Sequence, residues 1–134
     1  MYRERMETLK EWKVSKNRKP LIIRGARQVG KTWLMKEFGK LYYEKCAYIN
    51  FDNNSRMDIL FNEEFDLDRI IQGLKIESGI NIEPENTLII FDEIQETPKA
   101  LKTLKYFYEN ANEYHIVAAG SLLGVAMHQG TSFP

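Results

Sequence analysis

Apolar positions along the chain recur with two periods, and their alternation lays out the elements. Tyr2, Met6, Leu9 and Trp12 are spaced four, three and three apart, which predicts an amphipathic helix over residues 2–13. The polar, basic connector 15–20 follows. Leu21-Ile22-Ile23 then forms a short apolar run of the kind found in a buried parallel strand. Trp33, Leu34, Phe38, Leu41 and Tyr42 return to helical spacing, predicting a helix over 31–43. Residues 46–51 (CAYINF) read as a second strand, ended by Asp52-Asn53-Asn54-Ser55, a turn with good helix-capping residues. In 55–78, Leu67, Ile70, Ile71 and Leu74 define a helical face, while the part around Phe61 and Phe65 fits a shorter helix or a loop.

Residues 79–86 connect to Thr87-Leu88-Ile89-Ile90-Phe91, the strongest strand in the sequence. Thr97-Pro98 has the chemistry of a helix start, and Leu101, Leu104, Phe107, Tyr108 and Ala111 continue that helix. His115-Ile116-Val117-Ala118-Ala119 is a fourth strand, ending at Gly120-Ser121; the tail 122–134 predicts no element. One helix followed by β-α-β-α-β-α-β is the signature of an α/β fold with a parallel sheet, which places ligands at the carboxyl ends of the strands. The expected division is an N-terminal helix and basic linker over 1–20 and a core over 21–134.

Composition narrows the class. The chain has 134 residues, 43% hydrophobic and 28% charged, which is ordinary for a folded globular domain. Its one cysteine, Cys46, excludes a disulfide framework; it and the two histidines, His115 and His128, are expected to be structural rather than metal ligands. The sequence carries no apolar run of spanning length and no leader pattern, so a cytoplasmic setting without membrane contact is the expectation. The net charge of zero hides an asymmetry. Residues 1–50 hold 13 Lys and Arg against 5 Asp and Glu, and residues 51–134 hold 6 against 14. A basic front half suits an anionic ligand, either a phosphate or a nucleic-acid backbone.

Gly25-Ala26-Arg27-Gln28-Val29-Gly30-Lys31-Thr32 matches G-x-x-x-x-G-K-[ST] at every fixed position, between an apolar strand and a helix. Glycines let the backbone wrap a phosphate with its N–H groups inward. Lys31 is a flexible cation able to reach β- and γ-phosphates, and the Thr32 hydroxyl is a hard oxygen ligand for Mg²⁺. The expected nucleotide-binding set runs from Gly25 to Thr32 and on to Trp33, although Trp12, Trp33 and the run Tyr106-Phe107-Tyr108 suit a core better than a cofactor contact. At the end of the third predicted strand stand two adjacent carboxylates, Asp92 and Glu93. Asp92 suits the Mg²⁺ shell that Thr32 reaches from the other side, and Glu93 is placed to polarise a water. Ser121, after the fourth strand, offers a hydroxyl to sense the γ-phosphate or position that water.

The stretches GARQVGKT, LIIFDEIQ and AAGSLLG together resemble the additional-strand P-loop ATPases, and within them AAA+-like prokaryotic ATP-binding proteins in which an AAA-type domain precedes a C-terminal domain of unknown function. The resemblance implies a three-layer α/β/α fold with parallel strands in the order β1-β4-β3-β2. It further implies Lys31 and Thr32 as phosphate and magnesium residues, Asp92 as the magnesium-linked acid, Glu93 as catalytic base and Ser121 at the sensor position. Gln95 lies in the D-E-I-Q run with no assigned role. Members of that group are longer and carry a fifth strand beyond the sensor strand, and no arginine follows Arg69 to act as arginine finger. The resemblance therefore implies a C-terminally truncated ATPase domain that hydrolyses ATP poorly by itself and self-associates through an exposed edge at residues 21–23. The expected ligands are ATP or ADP with Mg²⁺. The alternatives are a small P-loop kinase, which usually wants an arginine-rich lid, and a nucleotide-dependent interaction or nucleic-acid-binding module, supported only by the basic front half.

Overall fold

The computed structural model describes residues 2–23 and 29–120, with Tyr2 and Val29 described by backbone alone. Four strands, β1 (Leu21–Ile23), β2 (Lys45–Asn50), β3 (Thr87–Asp92) and β4 (His115–Ala119), form one parallel sheet in the order β1-β4-β3-β2. Every residue of β3 and β4 is buried, which explains why those strands are near-continuous apolar runs: a central parallel strand has no solvent face.

The pleat divides the sheet between two helical layers. Leu88, Ile90, Val117 and Ala119 face α1 (Tyr2–Val14) and α2 (Val29–Tyr42), which contribute Met6, Leu9, Leu34, Met35 and Phe38. Ala47, Ile49, Ile89, Phe91, Ile116 and Ala118 face α3 (Ser55–Asn62), α4 (Leu67–Ser78) and α5 (Pro98–Asn110). Asp92 follows Leu88 and Ile90 at period two, so it falls on the α2 side of the sheet. This assignment decides which helix can meet it.

Local chemistry sets the helix ends. Residues 55–78 form two helices: the Asn54 side chain accepts from the Met57 N–H to start α3, and the Asp66 side chain accepts from the Arg69 N–H to start α4. Phe65 lies in the connector between them and stacks on Tyr106, with centroids 5.1 Å apart. Thr97 does precede α5, with Pro98 in its first turn, but its hydroxyl donates to Asp58 Oδ1 at 2.7 Å instead of capping the helix. Helix α2 starts at Val29, earlier than periodicity suggests, and buries Met35 in place of Trp33 and Leu41, which are each 51% exposed. Tyr106 is likewise exposed, whereas Phe107 is buried and Trp12 packs edge-on against Phe38. Cys46 is partly buried in β2, and that burial pushes its thiol up to about 11, which makes it a poor nucleophile.

Away from the carboxyl ends of the strands, His115 begins β4 in an aromatic nest of Trp12 and Tyr43. Burial raises the Tyr43 hydroxyl well above its ordinary range, so it keeps its proton, and it shares a 2.6 Å hydrogen bond with His115 Nδ1. Burial first, then the charges of Arg18 and Lys13, lower His115 from 6.5 to about 4. The folded ring thus binds fewer protons than the unfolded one between these values. Stability is complete above pH 6.5 and falls as the pH drops toward 4, by up to about 3 kcal/mol. Urea unfolding at pH 7 and pH 4.5 should show this loss in the wild type and a smaller one in His115→Gln. Equal losses would show that His115 does not carry it.

Candidate functional site

The site lies where the sheet's carboxyl ends meet the start of α2. Lys31, in the first turn of α2, is buried, and its Nζ donates to the Gly120 carbonyl at 3.1 Å, just past the end of β4. Strand pairing explains this contact. Ile23, the last residue of β1, lies opposite Ala119, so the carboxyl ends of β1 and β4 lie side by side.

One residue on, the Thr32 Oγ1 donates to Asp92 Oδ2 at 2.6 Å. Asp92, at the end of β3, is buried and fully engaged: Oδ2 also accepts from the Tyr48 hydroxyl at 2.7 Å, and Oδ1 accepts from the Glu93 N–H at 3.0 Å. Burial, followed by the hydrogen bond and charge of Asp92, raises the Tyr48 hydroxyl far above its ordinary range, so it remains a donor.

Glu93 is in the left-handed region, at φ 55° and ψ 43°. For a residue with a side chain this costs on the order of 1–2 kcal/mol. It turns the chain sharply out of β3 into the short turn Ile94–Glu96. Gln95 within that turn donates from Nε2 to Glu93 Oε1 at 2.8 Å and to Glu96 Oε2 at 3.3 Å.

The structure thus brings Thr32 and Asp92 into contact, with Lys31 beside Thr32 in sequence and Glu93 beside Asp92. Gly30 is exposed, and among the described residues a Cβ there would meet nothing within 4 Å. Trp33 stands half-exposed on α2 rather than in the core. The expected site residues Gly25, Ala26, Arg27, Gln28 and Ser121, together with His128 and the tail, lie outside the described residues.

Two residues escaped the sequence reading. Gln95 was in view without a role; its amide is on Glu93. Tyr48 was read only as a strand residue. The available signal was its parity in β2: Tyr48 and Asn50 share a face, and Asn50 lies opposite Asp92, so Tyr48 is on the Asp92 side.

Among the described residues no three His, Cys, Asp or Glu side chains cluster to hold a metal. One carboxylate and one hydroxyl do fit Mg²⁺, which is commonly held by one or two protein oxygens together with substrate phosphates. No described helix is long and apolar enough to cross a membrane.

Residues 17–134 match the profile of a family described as an AAA domain. Among solved structures, PCH-2 from C. elegans superimposes with a TM-score of 0.54 at 17% identity, over 89% of this chain and 36% of that one. A Pif1 helicase structure, solved for DNA unwinding at forked duplexes, matches with a TM-score of 0.47 at 14% identity, over 90% of this chain and 32% of that one. This chain therefore spans about a third of either protein. No curated protein matches it in sequence. The likeness to PCH-2 supports the fold: a parallel four-stranded sheet, flanked by helices, in the order seen here.

Proposed function

Since the chain belongs to the AAA-domain family of P-loop ATPases, we propose that it binds ATP or ADP with Mg²⁺ at the turn between β1 and α2 and, in the full-length protein, hydrolyses the β–γ bond of ATP. The observation that carries this reading is the 2.6 Å contact between Thr32 and Asp92, made one residue from a buried lysine. A threonine from a helix start and an aspartate from a strand end, far apart in sequence, have no packing reason to share a proton. They are hard oxygen donors of the kind Mg²⁺ takes.

The residue roles follow from position. The backbone N–H groups of Gly25 to Thr32 are the proposed phosphate ligands, and the positive end of the α2 dipole would favour the same anion. Lys31 neutralises the outer phosphates, and the Gly120 carbonyl holds its ammonium at the strand ends meanwhile. Thr32 and Asp92 would hold Mg²⁺, which supplies charge neutralisation on the phosphate oxygens. Glu93 accepts a proton from the attacking water, with Gln95 fixing one of its carboxylate oxygens. Ser121, after β4, is the proposed sensor. A following C-terminal domain, and an arginine supplied in trans, belong to the same proposal.

The basic front half gives less support to a nucleic-acid module than its charge suggests. Arg18 is spent on the carbonyls of Asn112 and Lys13, and Lys45 on Glu83 and the Asn81 carbonyl.

Replacing Asp92 by Asn tests the metal half of the reading. The variant should need about 10–100 times more Mg²⁺ for the same nucleotide occupancy. A titration by fluorescence-labelled ADP at fixed nucleotide and rising Mg²⁺ reads this directly, and an unchanged Mg²⁺ midpoint would remove Asp92 from the metal shell.

A further inference from the structure

We propose that Tyr48 is the positioning residue for the metal-linked carboxylate: its hydroxyl fixes Asp92 at the oxygen shared with Thr32 and thereby sets affinity for the divalent cation rather than for the nucleotide itself. The inference rests on the nucleotide reading above and adds a residue to it.

Asp92 Oδ2 accepts two hydroxyl hydrogen bonds, from Thr32 at 2.6 Å and from Tyr48 at 2.7 Å. They come from the same face of the sheet, one from α2 and one from the neighbouring strand β2. A carboxylate χ2 is a broad torsion with no strong intrinsic minimum. With two donors on one oxygen and the Glu93 N–H on the other, Asp92 is held in a single orientation. Thr32 is the donor whose oxygen a metal would claim. Tyr48 reaches Asp92 from the β2 side and can keep its bond when Thr32 turns to the ion.

Tyr48 itself is held from both sides. The β2–β3 register places it opposite Ile90, one pleat period before the Asn50–Asp92 pair. Over its ring, 4.0 Å from the centroid, stands the Lys36 ammonium, one turn along α2 from Thr32. A cation on the ring face also makes the phenolic O–H a better donor, because it draws electron density from the ring. The contacts close a circuit, from Thr32 through Asp92 and Tyr48 to Lys36 and back along α2. A tyrosine serving only to fill space would need neither the short bond to a buried carboxylate nor the cation.

The test is a Mg²⁺ titration of fluorescence-labelled ADP binding in the full-length protein, run for wild type, Tyr48→Phe and Lys36→Met, with a parallel ADP titration in EDTA. Tyr48→Phe should raise the Mg²⁺ midpoint about tenfold, the lower end of the scale of one lost hydrogen bond to a charged group. Its metal-free ADP affinity should stay within about twofold. Lys36→Met should shift the midpoint in the same direction by less, and it leaves the Asp92 contacts in place if Tyr48→Phe proves unstable. An unchanged midpoint, or an equal loss of affinity with and without Mg²⁺, overturns the positioning role. Wild-type protein that binds no nucleotide under either condition overturns the nucleotide reading and this inference with it. Wild-type binding that responds to Mg²⁺ identically in all three proteins overturns the inference alone.

Discussion

Lys31→Ala should abolish nucleotide binding. In the wild type, ligand present at 100 times its Kd adds about 2.7 kcal/mol to the unfolding free energy, and thermal denaturation should rise with nucleotide concentration. The variant should show no rise at all. The side chain is 6% exposed and anchored to the Gly120 carbonyl, so its charge is already at the strand ends before ligand arrives. Losing the cation removes a preplaced partner for the phosphates, and no neighbour in the first turn of α2 replaces it. Alanine also leaves space in a buried position, so Lys31→Met, which fills that volume without charge, should be measured beside it. A ligand-dependent thermal rise that persists in both variants would show that the nucleotide sits elsewhere.

Glu93→Gln should leave ATP binding intact and slow turnover of the full-length protein by roughly 10²–10⁴-fold. The substitution is close to isosteric. A glutamine carbonyl can still accept from the Gln95 amide, and the left-handed backbone at this position is as costly for glutamine as for glutamate. Shape and local strain are thus retained while the proton acceptor is lost. Single-turnover hydrolysis together with equilibrium binding separates the two effects. If Glu93→Gln loses binding to the same degree as Asp92→Asn, Glu93 belongs to the binding shell and is not the base.

The contact between Thr32 and Asp92 at the candidate site is legible because the residues on each side of it are local in sequence. The G-x-x-x-x-G-K-T run and the LIIFDE strand end each place their functional residues next to one another, and a parallel sheet brings strand ends together whatever lies between. Less was legible where tertiary contact outweighed local preference. Thr97 has the sequence context of a helix cap, yet its hydroxyl is taken by Asp58 on α3, which no local pattern announces. Trp33 and Leu41 lie at helical spacing beside Leu34 and Phe38, but Met35 joins Leu34 and Phe38 against the sheet in their place. The face of α2 is set by its crossing over β2 and β3 rather than by its own hydrophobicity. Tyr48 was hidden for a similar reason: its role exists only once β2 is laid beside β3 in register.

The pairing of β1 bears on the order in which the protein assembles. Among the described residues this three-residue strand has one sheet neighbour, β4, with Leu21 opposite Val117. During synthesis β1 emerges early and must wait for nearly all of the remaining fold before it has a partner. Closing so long a loop for so few backbone bonds gives little return until the helices pack over it. The pairing of β1 with β4 is therefore among the last contacts of the sheet to be fixed. A ligand bound as proposed, between Lys31 and the end of β4, would span this seam. Nucleotide bound as proposed would then serve as a late-acting staple, holding β1 to β4.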